Sequence, residues 1–117
     1  MNNKKEVNRM IYTVEQICEI IKPIAQRYGL PAVYLFGSYA RGTAGDESDI
    51  DLLVDTTGTQ LKSLMSLGAL YCELEEALQK PVDLITVSSL QQSVRMPSEE
   101  DFRNAVMKER ITLYDVA

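Results

Sequence analysis

Leu35-Phe36-Gly37-Ser38-Tyr39-Ala40-Arg41-Gly42, followed by Ser48-Asp49-Ile50-Asp51-Leu52-Leu53-Val54, is the stretch whose reading decides the fold. Ala32 to Phe36 is a short apolar run that reads as a strand, and Gly37 to Arg41 as a tight turn opening a short helix. Gly42 to Glu47 is a polar loop, after which Asp49 to Asp55 reads as a second strand. Successive strand side chains alternate faces. Asp49 and Asp51 therefore share one face, while Ile50, Leu52 and Val54 point to the other. Two carboxylates held side by side repel each other unless a cation sits between them. A divalent metal with oxygen ligands, carrying substrate phosphates, meets that need. The pattern predicts a phosphoryl- or nucleotidyl-transfer site.

Outward from this stretch, Thr13-Val14-Glu15-Gln16 has the form of a capping box. It opens a helix whose apolar stripe runs Val14, Ile17, Cys18, Ile21, Ile24, Ala25 and Tyr28 and ends at Gly29 and Pro31. Pro23 is expected to kink or break that helix. Downstream, Leu61, Leu64, Met65, Leu67, Tyr71, Leu74 and Leu78 predict a long helix after a turn at 56–59. Pro81 to Val87 predicts a third strand. Ser88 to Pro97 is polar, with room for a short helix. Ser98 to Asp101 starts a last helix through Phe102, Ala105 and Val106, and Ile111 to Tyr114 reads as an edge strand.

The 117 residues suit one domain, residues 1–117, with a single core. The net charge of −5 argues against direct nucleic-acid binding, which needs a basic surface. No histidine is present, which removes Ser-His-Asp and Cys-His chemistry, imidazole bases and most zinc sites. Cys18 and Cys72 read as small core residues rather than a disulfide or ligand pair. With no apolar run near 18 residues and no signal-peptide pattern, a cytoplasmic protein with no membrane partner is expected.

Gly37-Ser38 lies where a strand hands over to a helix. Glycine lets backbone approach a ligand closely, and the following amides are the orphan donors of a helix start, which suit phosphate oxygens. The Ser38 hydroxyl adds a donor. Standing alone it reads as a plain left-handed turn with a serine cap, and acidic residues at a strand mouth are often solvated or paired with arginine. Together, the turn and the following Asp-x-Asp place phosphate donors and metal ligands within reach of each other. Asp83, in an apolar strand, joins the same cluster if that strand pairs beside the second; otherwise it is an edge-strand charge that discourages aggregation. Three carboxylates suit two magnesium ions, with Asp83 also able to accept a hydroxyl proton. Arg41, one helical turn after Ser38, is a candidate phosphate contact, with pairing to Asp46, Glu47 or Asp49 as the alternative. Ser48 either orients Asp49 or starts the strand, and Asp55 is expected at a solvated strand end.

Gly37-Ser38, ten intervening residues, Asp49-x-Asp51 and the later Asp83 resemble the signature of the polymerase-beta-like nucleotidyltransferase superfamily. The form Gly-Ser-Tyr-Ala-Arg-Gly…Ser-Asp-Ile-Asp-Leu is most similar to its minimal nucleotidyltransferase (MNT) group, and the likeness spans about Ala32 to Val87. The resemblance implies an α/β (α+β) fold, a mixed sheet with helices packed on one face, and ATP and Mg2+ bound on the other. It implies that Gly37 and Ser38 hold nucleotide phosphate and that Asp49, Asp51 and Asp83 are the catalytic metal ligands. It also implies a partner, a HEPN-domain ribonuclease toxin, in a hetero-oligomer where the MNT chain is the antitoxin and transfers AMP to a toxin tyrosine. A non-catalytic antitoxin that works by occlusion is the first alternative. A small-molecule, aminoglycoside-type nucleotidyltransferase is the second, disfavoured because a bare catalytic domain carries no acceptor-binding unit.

Overall fold

The computed structural model describes residues 9–92 and 97–116. Thr13 caps helix α1 (Val14–Tyr28): its side chain accepts from the Gln16 amide while Gln16 returns a hydrogen bond to the Thr13 amide. Strand β1 (Ala32–Phe36) runs directly into helix α2 (Gly37–Arg41), and the loop from Gly42 leads to β2 (Ile50–Asp55). Helix α3 (Leu64–Leu78), strand β3 (Val82–Thr86), the single-turn α4 (Val87–Leu90), helix α5 (Pro97–Glu109) and strand β4 (Ile111–Asp115) follow.

The four strands form one mixed sheet in the order β3-β2-β1-β4. β1 is antiparallel to both β2 and β4, and β2 is parallel to β3. Cα partners share a face, so the registers assign each side of the sheet. One side carries Val33, Leu35, Ile50, Leu52 and Val54, buried against Ile17, Ile21 and Ile24 of α1 and Leu70, Leu74 and Leu78 of α3. This is the main core, and its burial of apolar surface is the principal stabilising term of the fold. The other side carries Phe36, Asp51 and Asp83 in one row and Tyr34, Leu53 and Ile85 in the next. Here Phe36, Leu53 and Val106 make a smaller cluster, with Phe102 edge-on to Phe36 at a centroid distance of 6.2 Å. The mixed sheet has the expected form, with α1 and α3 on one face, and α5 additionally covers the Phe36–Leu53 part of the face opposite.

Four local expectations are corrected. Of the kink or break expected at Pro23, the break does not occur: α1 is continuous through it, and Pro23 is exposed, so the backbone bond it removes is lost on the solvent side. Leu64 and Met65 are 88% and 85% exposed, because α3 starts only at its Ser63–Ser66 capping box and meets the core from Leu67 onward. Leu70, absent from the expected stripe, is fully buried in their place. Cys72 is exposed rather than in the core; Cys18 is half-buried, and both are free thiols. β2 starts at Ile50, leaving Asp49 just outside the strand. Among the described residues no helix is long and apolar enough to cross a membrane.

Candidate active site

The row Phe36–Asp51–Asp83 sets the site. Pairing of β1 with β2 puts Phe36 opposite Asp51, and parallel pairing of β2 with β3 puts Asp83 on its other side. The condition attached to Asp83 is met, for its strand lies beside the second in matching register. Asp83 is nevertheless exposed, at the sheet edge, so burial is not what makes its charge notable.

Gly37 follows Phe36 and has a left-handed φ of +74°. A Cβ there would fall 2.0 Å from Asp51 Oδ2, 2.9 Å from its Cγ and 3.2 Å from its Cβ. The strand-to-helix turn and the central carboxylate are thus in direct contact, and only glycine leaves room for both. Ser38 is half-buried at the start of α2. Tyr39, next along, is buried in the main core and anchors this short helix.

Asp51 is pushed up to about 6 from its ordinary 3.8. Burial is the largest cause, followed by the negative charges of Asp83 and then Asp49, with Arg41 opposing them. Two further carboxylates thus bear on Asp51 at this end of the sheet. Among the described residues, no three acidic or cysteine side chains converge closely enough to form a ready metal cage. Asp49 and Asp83, both exposed, are able to reorient. Hard oxygen donors, a carboxylate pushed toward its neutral form by burial and then by its acidic neighbours, and a glycine cradle fit a magnesium ion.

The remaining candidates fall elsewhere. Arg41 pairs with Glu109 at the end of α5, with 3.1 Å between Nη1 and Oε1, rather than with Asp46, Glu47 or Asp49. Asp46 and Glu47 are instead met by Arg9 at 3.2 and 3.5 Å. Ser48 Oγ accepts from the Gly45 amide at 2.8 Å, so it closes the 45–48 turn and does not orient Asp49. Asp55 takes the Thr57 amide and hydroxyl in a turn at the strand end. Glu109 was invisible in the sequence, as no spacing rule links residues 41 and 109. The place of Phe36 beside Asp51 follows from strand register, which the sequence leaves open.

A glycine turn abutting one of two carboxylates paired across adjacent strands fits a nucleotidyl-transfer site. The chain belongs to the nucleotidyltransferase domain family, whose pattern matches residues 17–113, and it is a nucleotidyltransferase. Protein adenylyltransferase MntA of Thermococcus cleftensis is 37% identical over 86 residues, covering 70% of this chain and 85% of the relative. A crystal structure of a toxin–antitoxin with AMP-PNP contains a chain that superposes with a TM-score of 0.64 at 26% identity, covering 85% of this chain and 73% of that one. A chain from the complex of the Shewanella oneidensis tri-AMPylated HEPN toxin with its MNT antitoxin superposes at 0.61 over 89% of this chain and 74% of that one. Its 21% identity makes that a likeness of fold.

Proposed function

We propose that this chain is the antitoxin of a HEPN/MNT pair and transfers AMP from ATP to a hydroxyl, a tyrosine for preference, of its partner toxin. The observation that carries the catalytic reading is the Asp51 carboxylate lodged against Gly37 with Asp83 in register beside it. The partner is supported by the adenylyltransferase relative and by the toxin–antitoxin assemblies that share the fold. Drawing on ATP also fits a cytoplasmic protein.

In this reading the backbone amides after Gly37 and the Ser38 hydroxyl take the nucleotide phosphate oxygens. Asp49, Asp51 and Asp83 would hold magnesium, which when bound neutralises phosphate charge and lowers the pKa of the acceptor hydroxyl. The acceptor oxygen forms a bond to the α-phosphorus, the bond to pyrophosphate breaks, and Asp83 takes the hydroxyl proton. Asp83 suits this role because it is exposed at the sheet edge, where a macromolecular acceptor has access. Arg41, with Nη1 on Glu109 and its charge felt at Asp51, has further guanidinium donors to offer a phosphate.

The test is intact-mass spectrometry of the partner after incubation with this chain, ATP and magnesium, beside the Asp49→Asn/Asp51→Asn double variant. A gain of one or more AMP units that is absent with the variant is expected. No gain from a complex that still forms would replace transfer with occlusion.

A further inference from the structure

Of the three carboxylates, two are placed by the sheet: Asp51 and Asp83 are Cα partners in β2 and β3. Asp49 is not. It lies outside β2, is exposed, and ends a loop whose residues Gly42, Thr43, Gly45, Asp46 and Glu47 are also exposed. Ala44 packs against the main core and Arg9 pairs with Asp46 and Glu47 at the surface, but the segment next to Asp49 has little burial of its own to hold it.

Two consecutive residues from the α3–β3 connection grip this loop on either side of Asp49. Lys80 Nζ donates to the Asp46 carbonyl at 3.1 Å, and the Pro81 carbonyl accepts from the Ile50 amide at 3.0 Å. Lys80 is only 5% exposed, an unusual state for a lysine. Burying an ammonium carries a desolvation cost that hydrogen bonding must offset. The backbone turn that delivers Lys80 is itself specific, because Gln79 caps α3 with a left-handed φ of 55°. Ser48 then closes the 45–48 turn from within the loop.

We infer that Lys80 is a positioning residue that sets Asp49 for metal, acting with Pro81 as a two-point clamp on residues 46–50. Its role runs through the Asp46 carbonyl that it holds. The inference deepens the proposed function and rests on its assignment of Asp49 as a metal ligand, so the experiment separates the two.

Lys80→Met keeps most of the apolar stem and removes the donor; Lys80→Arg restores a donor of similar reach. Amide hydrogen exchange of the metal-free protein reads the clamp directly. Residues 43–50 are expected to exchange about tenfold faster in Lys80→Met and within twofold of wild type in Lys80→Arg. The Mg2+ dependence of binding a non-hydrolysable ATP analogue reads the consequence: half-saturation rises about fivefold or more in Lys80→Met and returns in Lys80→Arg. Tyr28→Phe removes the Tyr28–Glu73 hydrogen bond between α1 and α3, and is expected to lower stability without moving either readout. Unchanged exchange at 43–50 in Lys80→Met overturns the clamp, whatever the magnesium result. Faster exchange with an unmoved Mg2+ dependence also overturns it if Asp49→Asn shifts that dependence. If Asp49→Asn shifts nothing, the metal role of Asp49 fails, and exchange alone decides whether Lys80 holds the loop. Should Lys80→Met not fold, Lys80→Gln, whose shorter amide falls short of Asp46, is read in the same way.

Discussion

Gly37→Ala tests the contact on which the active-site reading depends. The substitution has two costs that the structure separates. The first is backbone: φ at Gly37 is +74°, and an L-residue held in that region loses about 1–2 kcal/mol. The second is steric and local. The new methyl carbon would stand 2.0 Å from Asp51 Oδ2, and an ordinary contact begins at 3.4 Å, so the oxygen must move by at least 1.4 Å (3.4 less 2.0). Because Cγ and Cβ of Asp51 lie at 2.9 and 3.2 Å, turning the carboxylate in place does not relieve the clash; the whole side chain must swing away. A misplacement of about 1 Å in a catalytic constellation costs on the order of 10²-fold in rate. Gly42→Ala is the matched control, since Gly42 has φ of +78° but nothing within 4 Å of its added Cβ. Both variants should lose roughly 4–16 °C in Tm by circular dichroism, from about 1–2 kcal/mol at roughly 4–8 °C per kcal/mol for a domain near this size. Only Gly37→Ala should lose Mg2+-dependent nucleotide binding and about 100-fold or more in AMP transfer. A Gly37→Ala protein that binds and transfers within threefold of Gly42→Ala would refute the placement of Asp51 against the turn.

Asp51 makes a second test through pH. Its carboxyl is held near 6 in the fold against 3.8 ordinarily, so it binds protons more tightly in the folded state. Its stability contribution is therefore full below 3.8 and is lost as pH rises through 6, leaving a penalty at neutral pH. That rise, from 3.8 to about 6, corresponds to about 3 kcal/mol unscreened, which solvent screening at this half-buried group reduces to about 1–2 kcal/mol. Asp51→Asn should accordingly raise Tm at pH 7.5 while abolishing transfer, with about a third of the gain left at pH 4.5; an equal gain at both pH values would dismiss the titration argument. The same proton competes with metal, so Mg2+ affinity by titration calorimetry should fall about tenfold from pH 7 to pH 5, and a flat profile would exclude Asp51 as a ligand. In the scaffold, Leu64→Ser/Met65→Ser should leave stability within about 0.5 kcal/mol by urea unfolding, whereas Leu70→Ala should lose about 2–5 kcal/mol. The reverse ranking would contradict the way α3 meets the core.

Local chemistry made much of this protein legible in the linear chain. The Thr13 capping box, the apolar run at 32–36, the Gly37 turn and the period-2 pattern at 50–54 each depend on neighbours within a few residues, so they appear where their residues stand. The spacing of Gly37-Ser38 and Asp49-x-Asp51, with the resemblance it carries, was sufficient to name the enzyme class. Where local rules erred, the surroundings decided. Pro23 remains helical because its lost bond faces water, and Leu64 and Met65 are exposed because, among the described residues, the core meets α3 only from Leu67 onward. Period alone does not say where a helix meets its neighbour.

Only the tertiary structure decided which groups touch. That Asp83 stands beside Asp51 is a matter of strand order and register, which depend on how the crossover through α3 returns the chain to the sheet. The contact of Asp51 with Gly37, the Arg41–Glu109 pair and the Lys80 bond to the Asp46 carbonyl join residues 14, 68 and 34 positions apart. No periodicity links such positions, because side-chain distances across a fold are set by packing rather than by chain separation. The sequence determined the kinds of groups available to a nucleotidyl-transfer site; the paired strands determined that they meet at one end of one sheet face.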